Sequence, residues 1–203
     1  MRRLFLAGGV FGLAILVFAV IGAVIVVRGG ISARPEPSGL EARIARALRH
    51  VAIPSSDREV RNPIAAGPRA LAAGLAHFAD HCATCHANDG SGQTAIGRGL
   101  YPRAPDMRRP ATQSLSDGEL FYVVENGVRL TGMPAWGGAD SAEGSWHLVH
   151  FIRHLPSLTA EERVEMERLN PKSPEEWRAL QAEDESLRGV GSRNGLGRGS
   201  HAH

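Results

Sequence analysis

The stretch His81-Cys82-Ala83-Thr84-Cys85-His86 contains both cysteines of the 203-residue chain. Two residues separate the thiols, and a histidine directly follows the second one. Three kinds of site use cysteines at this spacing: a zinc site, a redox-active disulfide and a covalently attached haem. The surrounding sequence discriminates among them.

A structural zinc site needs four ligands, and the chain has no second pair of cysteines to supply them. His86 directly follows Cys85, which does not match the usual zinc-finger spacings. A redox-active C-x-x-C normally begins a helix of an α/β domain. Here the motif ends an Ala-rich helical segment, from Pro68 to about Ala83, and no strand pattern surrounds it. Both readings are therefore disfavoured.

The pattern C-x-x-C-H is the attachment signature of c-type haem. Two thiols at this spacing can add to neighbouring vinyl groups of one porphyrin as thioethers. The adjacent imidazole is then placed to bind the iron from the same side. We predict a single haem c held covalently by Cys82 and Cys85, with His86 as an iron ligand.

The overall composition excludes one class of function and is compatible with a bound apolar cofactor. Lys and Arg total 23 against 21 acidic residues, giving a formal net charge of +2. A nucleic-acid-binding protein usually shows a strong basic excess, so we expect no nucleic-acid partner. Aromatic residues make up only 5% of the chain, and a large cofactor would supply part of the core.

The N-terminus carries an uncharged run of 24 residues, from Leu4 to Val27. This run suffices for a membrane-spanning helix, which needs roughly 20 apolar residues, and exceeds the about 7–15 of a signal peptide. No A-x-A cleavage site follows, which favours an uncleaved anchor. Arg2 and Arg3 favour a cytoplasmic N-terminus, although Arg28 weakens that signal. We expect a bacterial inner-membrane protein with its haem domain on the periplasmic side, where haem c is attached.

Four segments are predicted along the chain. They are a transmembrane anchor (1–30), a connector (31–67), a haem domain (68–158) and a polar tail (159–203) whose last part is disordered. The connector contains one helical stretch, from Leu40 to Val51, with its apolar residues on one face. That helix could lie on an anionic membrane surface or pack on the domain, and the sequence leaves both open.

The haem domain is predicted to be mostly helical, with long loops at 87–110 and 128–144. A capping box at Ser116–Glu119 starts one helix, which ends near Asn126-Gly127. Ser145 to Leu155 forms another helix. Two further capping boxes, at 159–162 and 173–176, predict short helices in the tail.

A second block, from Gly127 to Trp136 (GVRLTGMPAW), completes a pattern that resembles the class I cytochrome c family together with the haem motif. The resemblance covers about residues 68–158. It implies an all-α cytochrome c fold with three to five short helices around one haem, behind the transmembrane helix. It also implies that Met133 is the sixth iron ligand.

The resemblance implies further roles around the haem. Gly74 and Phe78 match the first helix of the family, and Leu148 and Phe151 match the last helix, which crosses it. A proline carbonyl often accepts a hydrogen bond from the proximal histidine, and both Pro102 and Pro105 are candidates. The remaining candidates for the haem environment are Tyr101, Arg108, Arg109 and Trp136.

Two other groups of side chains have more than one interpretation. The first group consists of three histidines on one helix: His147, His150 and His154. They could bind a second metal, but histidines in such positions are more commonly exposed or next to the haem. The second group consists of arginines in the two loops, which either form a basic rim for an acidic partner or are scattered solvated charges: Arg98, Arg103, Arg108, Arg109 and Arg129.

The predicted function is single-electron transfer, not catalysis on a substrate, because His/Met ligation fills both axial positions of the iron. The expected partners are the membrane and redox proteins: a quinol-oxidising complex, a dehydrogenase or a terminal oxidase. A connector of about 37 residues would give the domain modest reach. Two alternatives remain, a fixed cytochrome subunit of a periplasmic dehydrogenase or oxidase complex, and a haem sensor or small haem enzyme in which Met133 leaves the iron.

Overall fold

The computed structural model describes residues 2–138, 142–172, 175, 176, 178 and 179. Side chains of residues 2–10, 25, 26 and 29 lie outside that description. Part of the predicted capping box at 173–176 also lies outside the described residues, as does the tail beyond residue 179, for which disorder was predicted.

The described part of the chain consists of helices and connecting turns, without an extended strand, which confirms the all-α prediction. The helices are α1 (Arg2–Gly29), α2 (Gly39–Ala52), α3 (Ser55–Arg58), α4 (Pro68–His77), α5 (Ala83–His86), α6 (Ala95–Gly99), α7 (Pro110–Gln113), α8 (Asp117–Asn126), α9 (Ala142–His154) and α10 (Ala160–Leu169). A π-helical turn (Phe78–Cys82) joins α4 to α5, and a 3₁₀ turn (Leu155–Ser157) follows α9. Within the residues described, no helix is both long and apolar enough to cross a membrane.

The segment 68–158 contains more helices than the three to five predicted, because α6 and α7 are single short turns within or at the end of the first long loop. The capping box at Ser116 is confirmed: its hydroxyl accepts from the Glu119 amide at 3.1 Å, and the Glu119 carboxylate accepts from the Ser116 amide at 2.8 Å. The same reciprocal pair at Thr159 and Glu162 starts α10. These contacts satisfy amide groups that a helix N-terminus otherwise leaves unpaired.

Helices α4 and α9 cross closely at Gly74. A Cβ at this position would overlap the carbonyl oxygen of His147 and would lie 2.9 Å from Phe151 Cβ. Phe78 packs on Phe151 with ring centroids 5.2 Å apart, and both rings are fully buried. Leu148 is buried beside them, so the four residues assigned to the helix crossing meet there.

Elements outside this crossing complete the core. Phe121 of α8 stacks on Trp146 of α9 at 3.9 Å between centroids. Although Met166 lies in the segment predicted as a polar tail, its side chain is fully buried in the same core. Asn170, at the end of α10, donates to the carbonyl of Ala79 at 2.9 Å. Helix α10 is therefore part of the packed domain.

The connector also contacts the domain along much of its length. Arg103 donates to the Glu36 carboxylate at 2.6 Å and to the Arg34 carbonyl at 3.1 Å. Ile53, at the end of α2, is buried. Contacts with the domain begin at residue 34, which limits how much of the connector can provide reach.

Candidate haem site

The motif residues form one compact turn at the end of the first domain helix. Cys82 ends the π-helical turn, and Cys85 and His86 lie in α5. Both thiols are half-buried and not joined by a disulfide. The turn ends at Ala87, whose left-handed backbone (φ 61°) redirects the chain after His86. The two cysteines and the His86 imidazole thus lie within less than two helical turns.

The environment of His86 suits an iron ligand. Its side chain is only 7% exposed, and it lies 6.5 Å from the Phe78 ring, centroid to centroid. Burial lowers the pKa of the imidazole, and the Pro105 carbonyl raises it by a smaller amount. A lowered pKa favours the neutral imidazole, which is the form that binds metal.

Of the two candidate prolines, Pro105 has the carbonyl that influences the pKa of His86. The His86 Nδ1 atom is buried without a partner of full hydrogen-bond geometry among the described residues, and the Pro105 carbonyl is the backbone group that influences its pKa. Gly92 explains how this carbonyl reaches the site: it adopts φ 72°, and a Cβ there would overlap the Ala104 carbonyl and lie 3.2 Å from the Pro105 oxygen. The approach of the Pro105 carbonyl favours Pro105 over Pro102 as the partner of His86.

Helix α6 packs directly on the motif. Thr94 donates through its hydroxyl to the Cys85 carbonyl at 3.2 Å. A Cβ at Gly97 would overlap that same carbonyl oxygen. The loop after the motif therefore returns against it and fixes the backbone at Cys85.

The block GVRLTGMPAW forms a tight loop after α8. Gly127 adopts φ 65°, and a Cβ there would lie within 2.7 Å of backbone atoms of Met133, Pro134 and Ala135. The Val128 amide donates to the Met133 carbonyl at 3.1 Å. The Thr131 hydroxyl accepts from the Met133 amide at 3.1 Å. Met133 is half-buried on a loop whose shape its own hydrogen bonds determine.

Two contacts join the Met133 loop to the neighbourhood of the cysteines. The Trp136 ring stands perpendicular to His81, with centroids 5.4 Å apart, directly beside Cys82 in sequence. A Cβ at Gly132 would lie 2.6 Å from a methyl group of Leu100, the residue after α6. The loop thus contacts both the attachment turn and the helix that packs on it.

His81 is the residue of this site that the sequence left without a role. It also contacts His77 edge to face and pairs with Asp80 at 3.2 Å. Its position next to Cys82 and its i, i+4 spacing from His77 were the only signals available in the sequence. Neither signal could indicate a contact with Trp136, 55 residues further along.

The two arginines proposed near the haem are engaged with carboxylates. Arg108 pairs with Asp106 through two parallel hydrogen bonds, at 2.8 and 3.0 Å, and with Asp89 at 2.9 Å. Arg109 also reaches Asp106, at 3.2 Å. The hydrogen bonds from Arg108 lower the pKa of the Asp106 carboxyl to about 2.

Carboxylate pairing also involves Tyr101 and Arg103. The Tyr101 hydroxyl donates to Glu41 at 2.6 Å, which raises the pKa of the phenol. Arg103 is bound to Glu36, as described above. Three of the five loop arginines thus have acidic partners, and the basic rim is reduced to Arg98 and Arg129, which are exposed.

The histidines of α9 do not form a metal site. His150 contacts the Ile64 carbonyl at 2.9 Å, and His154 contacts the Glu162 carboxylate at 2.8 Å. No group of three or more potential metal-ligating side chains occurs in the described part of the chain. The interpretation of His147, His150 and His154 as a second metal site therefore has no geometric support.

The residues present fit a covalently bound haem. Two thiols and a buried imidazole with a lowered pKa lie on one turn, and a proline carbonyl faces that imidazole. A helical fold around this turn defines a class I c-type cytochrome domain. Residues 69–152 match the family described as "Cytochrome C oxidase, cbb3-type, subunit III". The chain therefore contains a c-type cytochrome domain that binds haem c covalently and serves electron transfer.

The match covers less than half of the chain and excludes α1, α2, α3 and α10. No curated protein matched the chain at a significant level.

Proposed function

We propose that this protein is a membrane-tethered monohaem cytochrome c that transfers single electrons between respiratory or dehydrogenase complexes. Cys82 and Cys85 would hold the haem through thioether bonds, and His86 and Met133 would bind its iron. The proposal rests on one observation: the turn that contains the buried His86 contacts the Met133 loop through the rings of His81 and Trp136. When bound, the haem supplies an iron that cycles between two oxidation states.

The chain's own groups account for the rest of this function. Burial keeps His86 neutral, and the Pro105 carbonyl orients its ring and increases its basicity as a ligand. Met133 offers a thioether, which raises the reduction potential relative to more electron-rich ligands. With His86 and Met133 both bound to the iron, no position would be left for a substrate. The domain therefore exchanges electrons through partner contacts, which are typically small and transient.

A redox titration with optical spectra on the purified full-length holoprotein tests the ligand assignment. Met133→Ala should lower the reduction potential and open the ferrous iron to carbon monoxide. Met107→Leu is the matched control, because Met107 is also half-buried and leucine replaces methionine at little cost. A Met133→Ala protein with an unchanged potential and no carbon monoxide binding would show that another side chain is the sixth ligand.

Membrane tethering rests on the uncharged sequence from Leu4 to Val27, with Arg2 and Arg3 before it. This arrangement supports an inner-membrane anchor with the haem domain in the periplasm. Alkaline carbonate extraction of membranes tests the tether, and protease treatment of intact spheroplasts tests the side. Release of the protein by carbonate would refute the anchor. Protection of the haem domain from protease would refute the periplasmic location.

A second candidate is a fixed cytochrome subunit of an oxidase complex. The observation that favours it is the family match, which is described as a subunit of a cbb3-type oxidase. Purification in mild detergent separates the two: a free shuttle elutes alone, whereas a subunit elutes in a stoichiometric complex.

A further inference from the structure

Helix α2 leaves an apolar face uncovered. Its apolar side chains share one side of the helix and are 62, 51, 63 and 78% exposed: Leu40, Ile44, Leu48 and Val51. No residue of α2 is buried, and three of the four apolar side chains line a shallow groove with Ser38 and Glu41. Exposed apolar faces of this kind are typical of surfaces that contact a membrane or another protein.

Polar side chains of α2 contact the haem domain, from Glu41 at the edge of the groove to Arg49 and His50 on the far side. Glu41 accepts from the Tyr101 hydroxyl at 2.6 Å, and His50 contacts Glu119 at 2.8 Å. Arg49 donates to the carbonyl of Ala111 at 3.4 Å. The sequence left two positions open for this helix, on the domain or on a membrane. The structure combines them, because the polar side packs on the domain and the apolar side is directed away from it.

The chain between α1 and α2 is too short to carry this face far from the end of α1. Helix α1 ends at Gly29, and Arg103 holds the chain on the domain from Arg34. Residues 30–33 alone are left to span the gap, and the five Cα–Cα steps from Gly29 to Arg34 cover at most about 18 Å. If α1 lies in a bilayer, α2 therefore lies close to that bilayer's surface.

The charges around α2 suit an anionic surface. Residues 28–52 contain five arginines and two glutamates, a formal charge of +3. Arg43, which borders the apolar face, is exposed on α2 itself. Anionic headgroups attract such charges when they lie near the surface. A second copy of the chain would instead bring an equal positive charge against the same face.

We propose that the apolar face of α2 lies on the surface of an anionic lipid bilayer and fixes the orientation of the haem domain relative to it. This proposal rests on the tether of the proposed function. It adds a second membrane contact, one that is specific to residues 39–52.

Thiol accessibility in vesicles tests the proposal. Full-length holoprotein variants Ile44→Cys and Arg46→Cys each carry one new thiol, on the apolar and the polar side of α2. They are reconstituted into vesicles of phosphatidylcholine with phosphatidylglycerol, or of phosphatidylcholine alone. The reaction rate with a charged, membrane-impermeant maleimide is then measured on the fraction that floats with the lipid. The haem spectrum of each variant confirms an intact domain.

The proposal predicts that Ile44→Cys reacts about tenfold more slowly than Arg46→Cys in the phosphatidylglycerol vesicles. The difference should shrink in phosphatidylcholine alone and at high salt. Equal rates in the anionic vesicles would overturn the proposal while leaving the tether intact. Protection that rises with protein density, with disulfide-linked dimers of Ile44→Cys, would overturn it in favour of a second copy. Failure to float would refute the tether and the proposal together.

Discussion

Replacing Met166 by alanine should destabilise the haem domain strongly, although this residue lies outside the family match. Met166 is fully buried, whereas the rest of α10 is charged and more exposed. Truncation of a buried methionine loses its transfer free energy and leaves a cavity, which together cost about 2–5 kcal/mol. That loss is a large part of the about 5–15 kcal/mol by which a domain of this kind is stable. Hydrogen bonds of Asn170 would still hold the end of α10.

The measurement is guanidinium unfolding of the holoprotein, followed by far-ultraviolet circular dichroism. Val164→Ala is the matched control, since Val164 lies in the same helix and is 66% exposed. The control should change the free energy of unfolding by no more than about 0.5 kcal/mol. If Met166→Ala cost no more than the control, with an unchanged denaturant slope, α10 would not be packed on the core as described.

Three local contacts give further expectations. Gly74→Ala should cost about 1–3 kcal/mol in denaturant unfolding by overlap with His147, whereas Gly99→Ala meets open space and should not; equal effects would contradict the close crossing. Arginine pairing lowers the Asp106 pKa from 3.8 to about 2, so its stabilisation is complete above 3.8 and disappears as the pH falls to about 2. Asp106→Asn should flatten the acid unfolding profile in that window, and an unaltered profile would refute this. Joint replacement of Cys82 and Cys85 by alanine should leave no haem after denaturing electrophoresis, and retained haem would indicate another attachment.

The sequence predicted those features that depend on neighbouring residues. The capping boxes at Ser116 and Thr159 are local patterns, and the structure contains both of them. The haem motif is likewise local, since Cys82, Cys85 and His86 lie on one turn. The helix crossing at Gly74 was found through the family resemblance, not through any pattern within α4 alone.

Features that depend on contacts distant in sequence were missed or left open. Met166 shares α10 with only two other large apolar residues, Val164 and Leu169, so the apolar pattern is too short to indicate its burial. The choice of Pro105 over Pro102 depends on the close approach of Ala104 to Gly92, which the sequence does not encode locally. Arg108 was assigned to the haem environment through the family resemblance, and its pairing with Asp106, two residues away, was not anticipated.

The contacts of the connector change what a tether would do for electron transfer. A flexible connector of 37 residues would have a root-mean-square length of about 33 Å and would let the haem domain sample many orientations. The contact of Arg103 with residues 34 and 36 leaves only residues 30–33 between α1 and the domain, a gap of at most about 18 Å from Gly29 to Arg34. Under the proposed tether, a domain so held would stay in a thin layer beside the bilayer, which would raise its effective concentration for partners in the same membrane. The same restraint would exclude partners whose docking sites lie far above the surface. The short link would therefore favour exchange with integral membrane complexes over exchange with freely diffusing carriers.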